Sequence, residues 1–464
     1  MIRKIPFMLL AATALAGTSP ARAQVGEDIA AELAALRAQV AELRARVVEL
    51  EEGQAGHPPQ VHQAAMASLQ PAPQAAPAPE ASREDAPEIR FRGAPQITAP
   101  GGWSFKPRGR LQYDFGHVSS PAGISEPGLG FSNEVRRARL GVEGTIPGGF
   151  GYTFEIDFAG NDVEITDAIL TYAASDSVDL TIGQHNNFQS LEELTSSRFS
   201  SFIERAAFTD AFNFERRVGL SGSLSAGDVI VQAGIFTDNI EDLNEDADDA
   251  MSVDGRVVFA PRMGDTQLHF GGSAHWRDNG DLATLTNTRY RQRPLIHSTD
   301  VRFLSTPAIA IESETDYGLE AALIHGPFHA AAEAHWLEAD AVATGLSPTF
   351  FGGYAEIGWF ITGESRGYRG GKFDRTRVAR PVEQGGAGAF QLNLRYDHLD
   401  LVSDGIIGGT QNGLMASLIW IPTDYVRFLL NYGRMSYDEA VIAATGGDQS
   451  YTVDVVGARA QIDF

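Results

Sequence analysis

The sequence predicts an all-β chain: a sixteen-stranded antiparallel transmembrane β-barrel preceded by a coiled-coil helix. Three observations predict it. From Trp103 onward the apolar residues recur with period two, as in Tyr152-Thr153-Phe154-Glu155-Ile156-Asp157-Phe158. The connections between these runs are strongly uneven, short on one side and long on the other. After the first 20 residues, no stretch has the 18 or so consecutive apolar residues of a membrane helix. Helical membrane bundles are thereby excluded, whereas a barrel hides its apolar residues by alternation.

The chain opens with Arg3 and Lys4, an apolar run from Ile5 to Gly17, and Ala21-Arg22-Ala23. That order reads as a secretory signal over 1–23, cleaved before Gln24. In residues 24–52, Ile29, Leu33, Leu36, Val40, Leu43, Val47 and Leu50 alternate steps of four and three. This is a heptad seam with Arg and Glu on its flanks, favouring self-association over an amphipathic helix lying on a domain. Helices this short are marginal alone, so partners are expected. Residues 53–102 are rich in Ala, Pro and Gln and read as a linker. The barrel is expected over 103–464.

Sixteen strands are expected at 105–118, 135–146, 150–159, 165–173, 179–184, 216–224, 229–236, 252–260, 266–277, 316–325, 328–338, 349–361, 389–399, 412–421, 425–435 and 451–464. Tight turns such as Pro147-Gly148-Gly149 and Gly326-Pro327 follow even-numbered strands. Long connections, 185–215, 237–251 and 278–315, follow odd-numbered ones. An even count puts both ends of the barrel on the short-turn side, the periplasm, where Phe464 ends the chain. One connection breaks the rule. Residues 362–388 follow an even strand, yet are long and carry six bases (Arg366, Arg369, Lys372, Arg375, Arg377, Arg380) against three acids. Either they form a solvated periplasmic loop or they fold into the lumen to line an anion path.

Charge narrows the function. Acids outnumber bases 60 to 36, for a net charge of −24, which argues against nucleic acid as a partner. The absence of cysteine removes thiol nucleophiles and thiolate zinc sites. No H-E-x-x-H occurs, and no catalytic constellation, cofactor or metal site is expected. Scattered His269, His275, His325, His329 and His335 do not change that. Alternation points Lys106, Arg108, Arg110, Arg137, Arg139, Arg395, Arg427 and Arg459 into the lumen, since charge facing lipid is costly. Two compatible readings exist for these arginines. They pair with Glu143, Glu155, Asp157, Asp397 and Asp463 and brace the wall, or Arg108, Arg110, Arg137 and Arg139 form a cationic patch at pore height. Loop 185–215 brings Glu192, Glu193, Arg198, Glu204 and Arg205, with Leu191, Leu194, Phe199, Phe202 and Phe208 to pack inside and narrow the pore; a lid over the mouth is the alternative. Loop 237–251 holds seven acids and reads as an acidic surface.

Four stretches in order carry a resemblance: Arg136-Arg137-Ala138-Arg139-Leu140-Gly141-Val142-Glu143-Gly144, Ser190-Leu191-Glu192-Glu193-Leu194-Thr195-Ser196-Ser197-Arg198, Gly358-Trp359-Phe360-Ile361-Thr362-Gly363-Glu364-Ser365-Arg366, and Tyr425-Val426-Arg427-Phe428-Leu429-Leu430-Asn431-Tyr432. The chain resembles the phosphate-selective porins O and P of Gram-negative outer membranes. The resemblance implies a trimeric porin with inward loops, an arginine-lined pore and a periplasmic turn entering the barrel. Its partners would be outer-membrane lipid, lipopolysaccharide and small hydrophilic or anionic solutes. The barrel departs from the family in having only Lys106 and Lys372 as lysines, and residues 101–464 hold 27 bases and 49 acids. A modest anion preference without strong phosphate selectivity is therefore expected. The competing classes are an outer-membrane lipid or ester hydrolase and a structural barrel anchoring the envelope.

Overall fold

The computed structural model describes residues 86–243, 250–280, 287–342 and 345–464. The expected signal segment, the heptad region, most of the linker and residues 244–249 of the acidic loop lie outside the described residues.

Sixteen long strands form one closed antiparallel barrel. They are β1 (Trp103–Val118), β2 (Gly130–Ile146), β3 (Phe150–Asp157), β4 (Glu164–Ser175), β5 (Val178–Asn186), β6 (Arg216–Ala226), β7 (Val229–Phe236), β8 (Met251–Phe259), β9 (Thr266–Asp278), β10 (Ile309–His325), β11 (Phe328–Ala341), β12 (Thr349–Phe360), β13 (Ala389–Ser403), β14 (Ile406–Thr423), β15 (Val426–Asp438) and β16 (Tyr451–Asp463). All sixteen coincide with expected strands. Closure runs from Val455 opposite Val118 to Asp463 opposite Arg110. The terminal Phe464 exchanges both backbone hydrogen bonds with Gly109, at 3.1 and 3.0 Å. A Cβ at Gly109 would lie 2.3 Å from the Phe464 ring, so this position needs glycine for the closing residue to seat.

The period-two pattern places its faces as lipid requires. Leu111, Phe115, Leu140, Leu220, Val257, Leu319, Ile357 and Leu430 are exposed on the outside. Their strand neighbours Gln112, Asp114, Arg139, Arg256, Asp316 and Glu356 are buried inside. Unlike a soluble barrel, the apolar face is therefore the outer one.

Three local features differ from the expected pattern, each for an identifiable reason. In β2 the pairing slips: Gln112 lies opposite Arg137 and Tyr113 opposite Val135, so Arg136 is a bulge residue. The bulge turns Arg136 and Arg137 both inward, where strict alternation would have pushed Arg136 into lipid. Strands β13 and β14 run on to Ser403 and Ile406, around a two-residue turn at Asp404 (φ 48) and Gly405 (φ 80). Asp-Gly with both residues in the left-handed region is a strong hairpin signal. Lastly, the end of the span read as a linker contains a hairpin, Glu88–Arg92 against Ala94–Ala99, whose second strand pairs with Trp103–Phe105.

Candidate constriction of the pore

Two segments enter the lumen from opposite ends. The first is the loop between β5 and β6, residues 187–215. It lies inside the barrel rather than as a lid, with Leu191, Phe202, Ile203, Phe208 and Ala211 almost fully buried. It carries two short helical turns, α1 (Leu191–Leu194) and α2 (Ala207–Ala211). Their backbone groups have no strand partner, so the wall supplies acceptors. The Leu191 and Glu192 N–H groups both donate to the Glu333 carboxylate at 2.8 Å. Ala207 N–H donates to Asp397 at 3.0 Å and Ile203 N–H to Asn431 at 3.1 Å. Unmet, each such buried donor would cost about 1–3 kcal/mol.

The second segment is the connection between β12 and β13, residues 361–388. It too folds inward, as a small hairpin of Gly367–Arg369 against Lys372–Asp374. Arg366 pairs with Glu356 at 2.8 Å and lies 3.5 Å from the centroid of the Phe373 ring. Arg256 reaches from β8 to the Gly371 carbonyl at 2.8 Å. Tyr368 OH meets His269 Nδ1 at 2.7 Å. Phe373 N–H donates to Thr195 Oγ1 at 3.3 Å, so the hairpin touches the inner loop directly. Arg377 and Arg380 are exposed and stay outside this arrangement.

The expected arginines divide by partner. Arg395 is buried between Glu192 (2.5 Å) and Glu356 (2.6 Å). Arg459 forks onto Asp114 at 2.7 and 2.6 Å and also reaches Glu204. Arg427 donates to the carbonyls of Arg198 and Ser200. These three tie the inner loop to the wall. Arg108, Arg110, Arg139 and Lys106 share Glu143, Glu155 and Asp157, four bases on three acids. Arg205 pairs with Glu193 at 3.0 Å, Arg198 with Asp463 at 3.7 Å and Arg369 with Asp374 at 3.1 Å. Among the described residues no carboxylate lies within 4 Å of Arg137 or Lys372. Arg137 donates only to the Gln112 amide, at 3.0 Å.

Two cavities adjoin the inner loop. The lower, about 350 Å3, lies between the wall, the inner loop and the hairpin tip. Ten bases line it (Arg108, Arg110, Arg137, Arg139, Arg198, Arg205, Arg216, Arg256, Arg369 and Lys372) against three acids, Asp167, Glu193 and Asp374. The upper, about 160 Å3, faces the extracellular end and is bordered by Arg136, Glu204, Asp210, Arg293 and His297. Both cavities are lined by Arg137, Glu193 and Arg205, which marks the neck between them. Arg136 holds Glu204 at 2.9 Å. Burial opposes the Glu204 charge, but Arg136, Arg137 and Arg459 hold its carboxyl well below the usual carboxylate range.

Sequence reading missed Arg136, Arg216, Arg256 and Arg293. For Arg136 the signal was present: two adjacent charges within a lipid-facing strand require a bulge. Arg256 alternates inward in β8 between outward Gly255 and Val257, so it too was legible. Arg293 sits in a loop without periodicity and had no such signal.

A closed sixteen-stranded barrel with an apolar exterior, a polar interior and inward-folded loops defines a porin of the Gram-negative outer membrane. The chain belongs to the phosphate-selective porin O and P family, whose model matches residues 105–464. It is 48% identical over 395 residues to an uncharacterized protein of Caulobacter vibrioides, covering 83% of this chain and 79% of that one. It is 28% identical over 356 residues to Porin O of Pseudomonas aeruginosa, covering 69% and 78%. Among solved structures, the anion-selective porin from Comamonas acidovorans superposes with a TM-score of 0.50 at 12% identity, covering 78% of this chain and 100% of that chain. At that identity the likeness is one of fold.

Proposed function

We propose that this porin lets small hydrophilic solutes diffuse passively, with a modest preference for anions set at the neck between the two cavities. The observation that carries the reading is the lining of the lower cavity, ten bases against three acids in a chain of net charge −24. Most of the barrel's acids lie away from the neck, and salt screens charges beyond about 8 Å at physiological ionic strength. Field lines concentrate where the low-dielectric walls approach, so local charge outweighs the total. Most of the lining arginines are already paired, which keeps the preference modest. The pairing of Arg108, Arg110 and Arg139 with wall acids, together with the scarcity of lysine, argues against strong selection of phosphate.

The assembly belongs to the same proposal: a homotrimer whose heptad helices, residues 24–52, meet in the periplasm below the barrels once the signal segment is removed. The oligomer is supported by the heptad seam, which needs partners. Lipopolysaccharide and lipid surround the barrels.

Planar-bilayer recordings test the function. Stepwise conductance without added substrate is expected, with a reversal potential in a salt gradient on the anion side. A silent bilayer with ester or lipid hydrolysis would instead establish the enzyme class. Native mass spectrometry tests the trimer, and a monomer would end that claim.

A further inference from the structure

The upper cavity has a chemical character different from the lower one. Its border contains four guanidinium groups and three carboxylates. Three pairs cancel: Arg136 with Glu204 at 2.9 Å, Arg205 with Glu193 at 3.0 Å, and Arg293 with Asp210 at 3.8 Å. Arg137 is left as the one guanidinium of this border with no carboxylate within 4 Å among the described residues, and it acts on Glu204 only from farther off. The rest of the lining is mixed: Thr209, Gln292, His297 and Gln411 stand beside an apolar patch of Phe214, Leu295, Ile296 and Met415. Leu295 is placed there against its own backbone preference, with φ at +64. Its side chain packs where a Cβ on Gly433 would fall, 2.7 Å from Leu295 Cδ2.

We infer that the upper cavity is a binding site for a small organic monocarboxylate with a compact apolar body, taken up before the neck. The carboxylate would meet Arg137, whose planar fork suits two oxygens. The body would lie against Leu295, Ile296 and Met415. Four guanidinium groups against three carboxylates leave the border one positive charge in excess, which matches one negative charge, so a phosphate dianion would leave a charge unmet. Size agrees: the cavity holds about 160 Å3, and an apolar cavity of about 150 Å3 takes a benzene ring. This inference rests on the anion-conducting reading and adds to it a substrate class.

The experiment measures block of chloride current through the full-length pore in planar bilayers, with benzoate, acetate or inorganic phosphate added on the extracellular side. Benzoate should block saturably, at a concentration about tenfold below that of acetate, because part of its ring leaves water. Phosphate should block no better than acetate. Leu295→Asn removes the apolar wall while keeping a residue that tolerates positive φ. In that variant the acetate-to-benzoate ratio of half-block concentrations should fall toward one. Arg137→Gln should weaken block by both carboxylates. Equal block by benzoate and acetate in the wild type, stronger block by phosphate, or an unchanged ratio in Leu295→Asn would overturn the site. The reversal potential of the same bilayers separates the two claims. An anion-selective pore that benzoate does not block ends only this inference, whereas a cation-selective pore ends the anion reading itself.

Discussion

The inner loop and the periplasmic hairpin both narrow the same lumen, yet they are fastened in opposite senses. For the loop 187–215, wall side chains hold the backbone: Glu333, Asp397 and Asn431 accept hydrogen bonds from loop N–H groups, beside the Arg395–Glu192 and Arg459–Glu204 pairs and a buried apolar cluster around Phe202 and Phe208. For the connection 361–388, the segment itself brings charge: Arg366 and Arg375 reach wall acids Glu356 and Asp463. A loop held through its backbone cannot slide without exposing buried N–H groups to an unpaired state. A hairpin held through long side chains can shift while its ion pairs follow. The loop should therefore set the pore's static size, and the hairpin should be the more yielding boundary.

The largest expected effect comes from Glu333→Ala. Glu333 serves Leu191 N–H, Glu192 N–H and the Tyr354 hydroxyl, and stands 3.8 Å from His335. Removing it strands buried donors and should destabilise the barrel by about 3–5 kcal/mol. In unboiled gels the folded band should disappear at a markedly lower temperature, and surviving channels should conduct more and flicker. Glu333→Gln keeps one acceptor and should fall between. A wild-type transition temperature in Glu333→Ala would show that the loop is held by apolar packing alone.

Next in size is Arg366→Ala. It loses the Glu356 pair and the stacking on Phe373, but Glu356 keeps Arg395 at 2.6 Å and the Ser201 hydroxyl at 2.9 Å. A cost of about 1–3 kcal/mol is expected, with a larger relative effect on conductance than on stability. If Arg366→Ala lowers the melting temperature more than Glu333→Ala does, the contrast between the two boundaries is reversed.

How much of this was legible beforehand follows the same physics. Strand count, pairing order and face assignment were readable because lipid enforces alternation at every outward residue: a misplaced Leu111 or Leu140 would be costly. The Leu and Phe content of loop 187–215 suggested an inward position but left a lid over the mouth open, and the acceptors on the wall decide between them. Which arginines are neutralised was not readable. Pairing depends on register between distant strands, as in Arg459 on Asp114 or Arg256 on Glu320. The bulge at Arg136 shifts one such register by a residue, and no local periodicity reports the partner across the barrel.

Selectivity gives a finer test, comparing neighbours on β2. Arg139 is bound to Asp157 at 2.7 Å and Glu155 at 3.3 Å, whereas Arg137 meets only an amide. Arg139→Ala should cost about 2–4 kcal/mol in stability because it leaves buried acid uncompensated. Arg137→Ala should cost less than about 1 kcal/mol. Both remove one positive charge, so both should move the reversal potential toward the cation side. Only Arg137→Ala should do so with a nearly normal gel transition. Equal destabilisation by the two would mean that Arg137 has an acidic partner in the assembled pore.

The smallest expected effect is that of Lys372→Gln. Lys372 is at the hairpin tip, lines the lower cavity and has no carboxylate within 4 Å among the described residues. Its charge is therefore as free as that of Arg137, but it sits on the yielding boundary rather than at the neck. An ammonium on a long flexible stem is averaged over positions, and other bases share its cavity. Its removal should shift the reversal potential by less than half as much as Arg137→Ala at about 0.1 M salt, where charges act over about 10 Å. At about 1 M salt that range contracts to about 3 Å, and the Lys372→Gln shift should vanish while part of the Arg137→Ala shift survives. A Lys372→Gln shift as large as that of Arg137→Ala, persisting in high salt, would place the selective step at the hairpin tip. The periplasmic boundary would then be the rigid one.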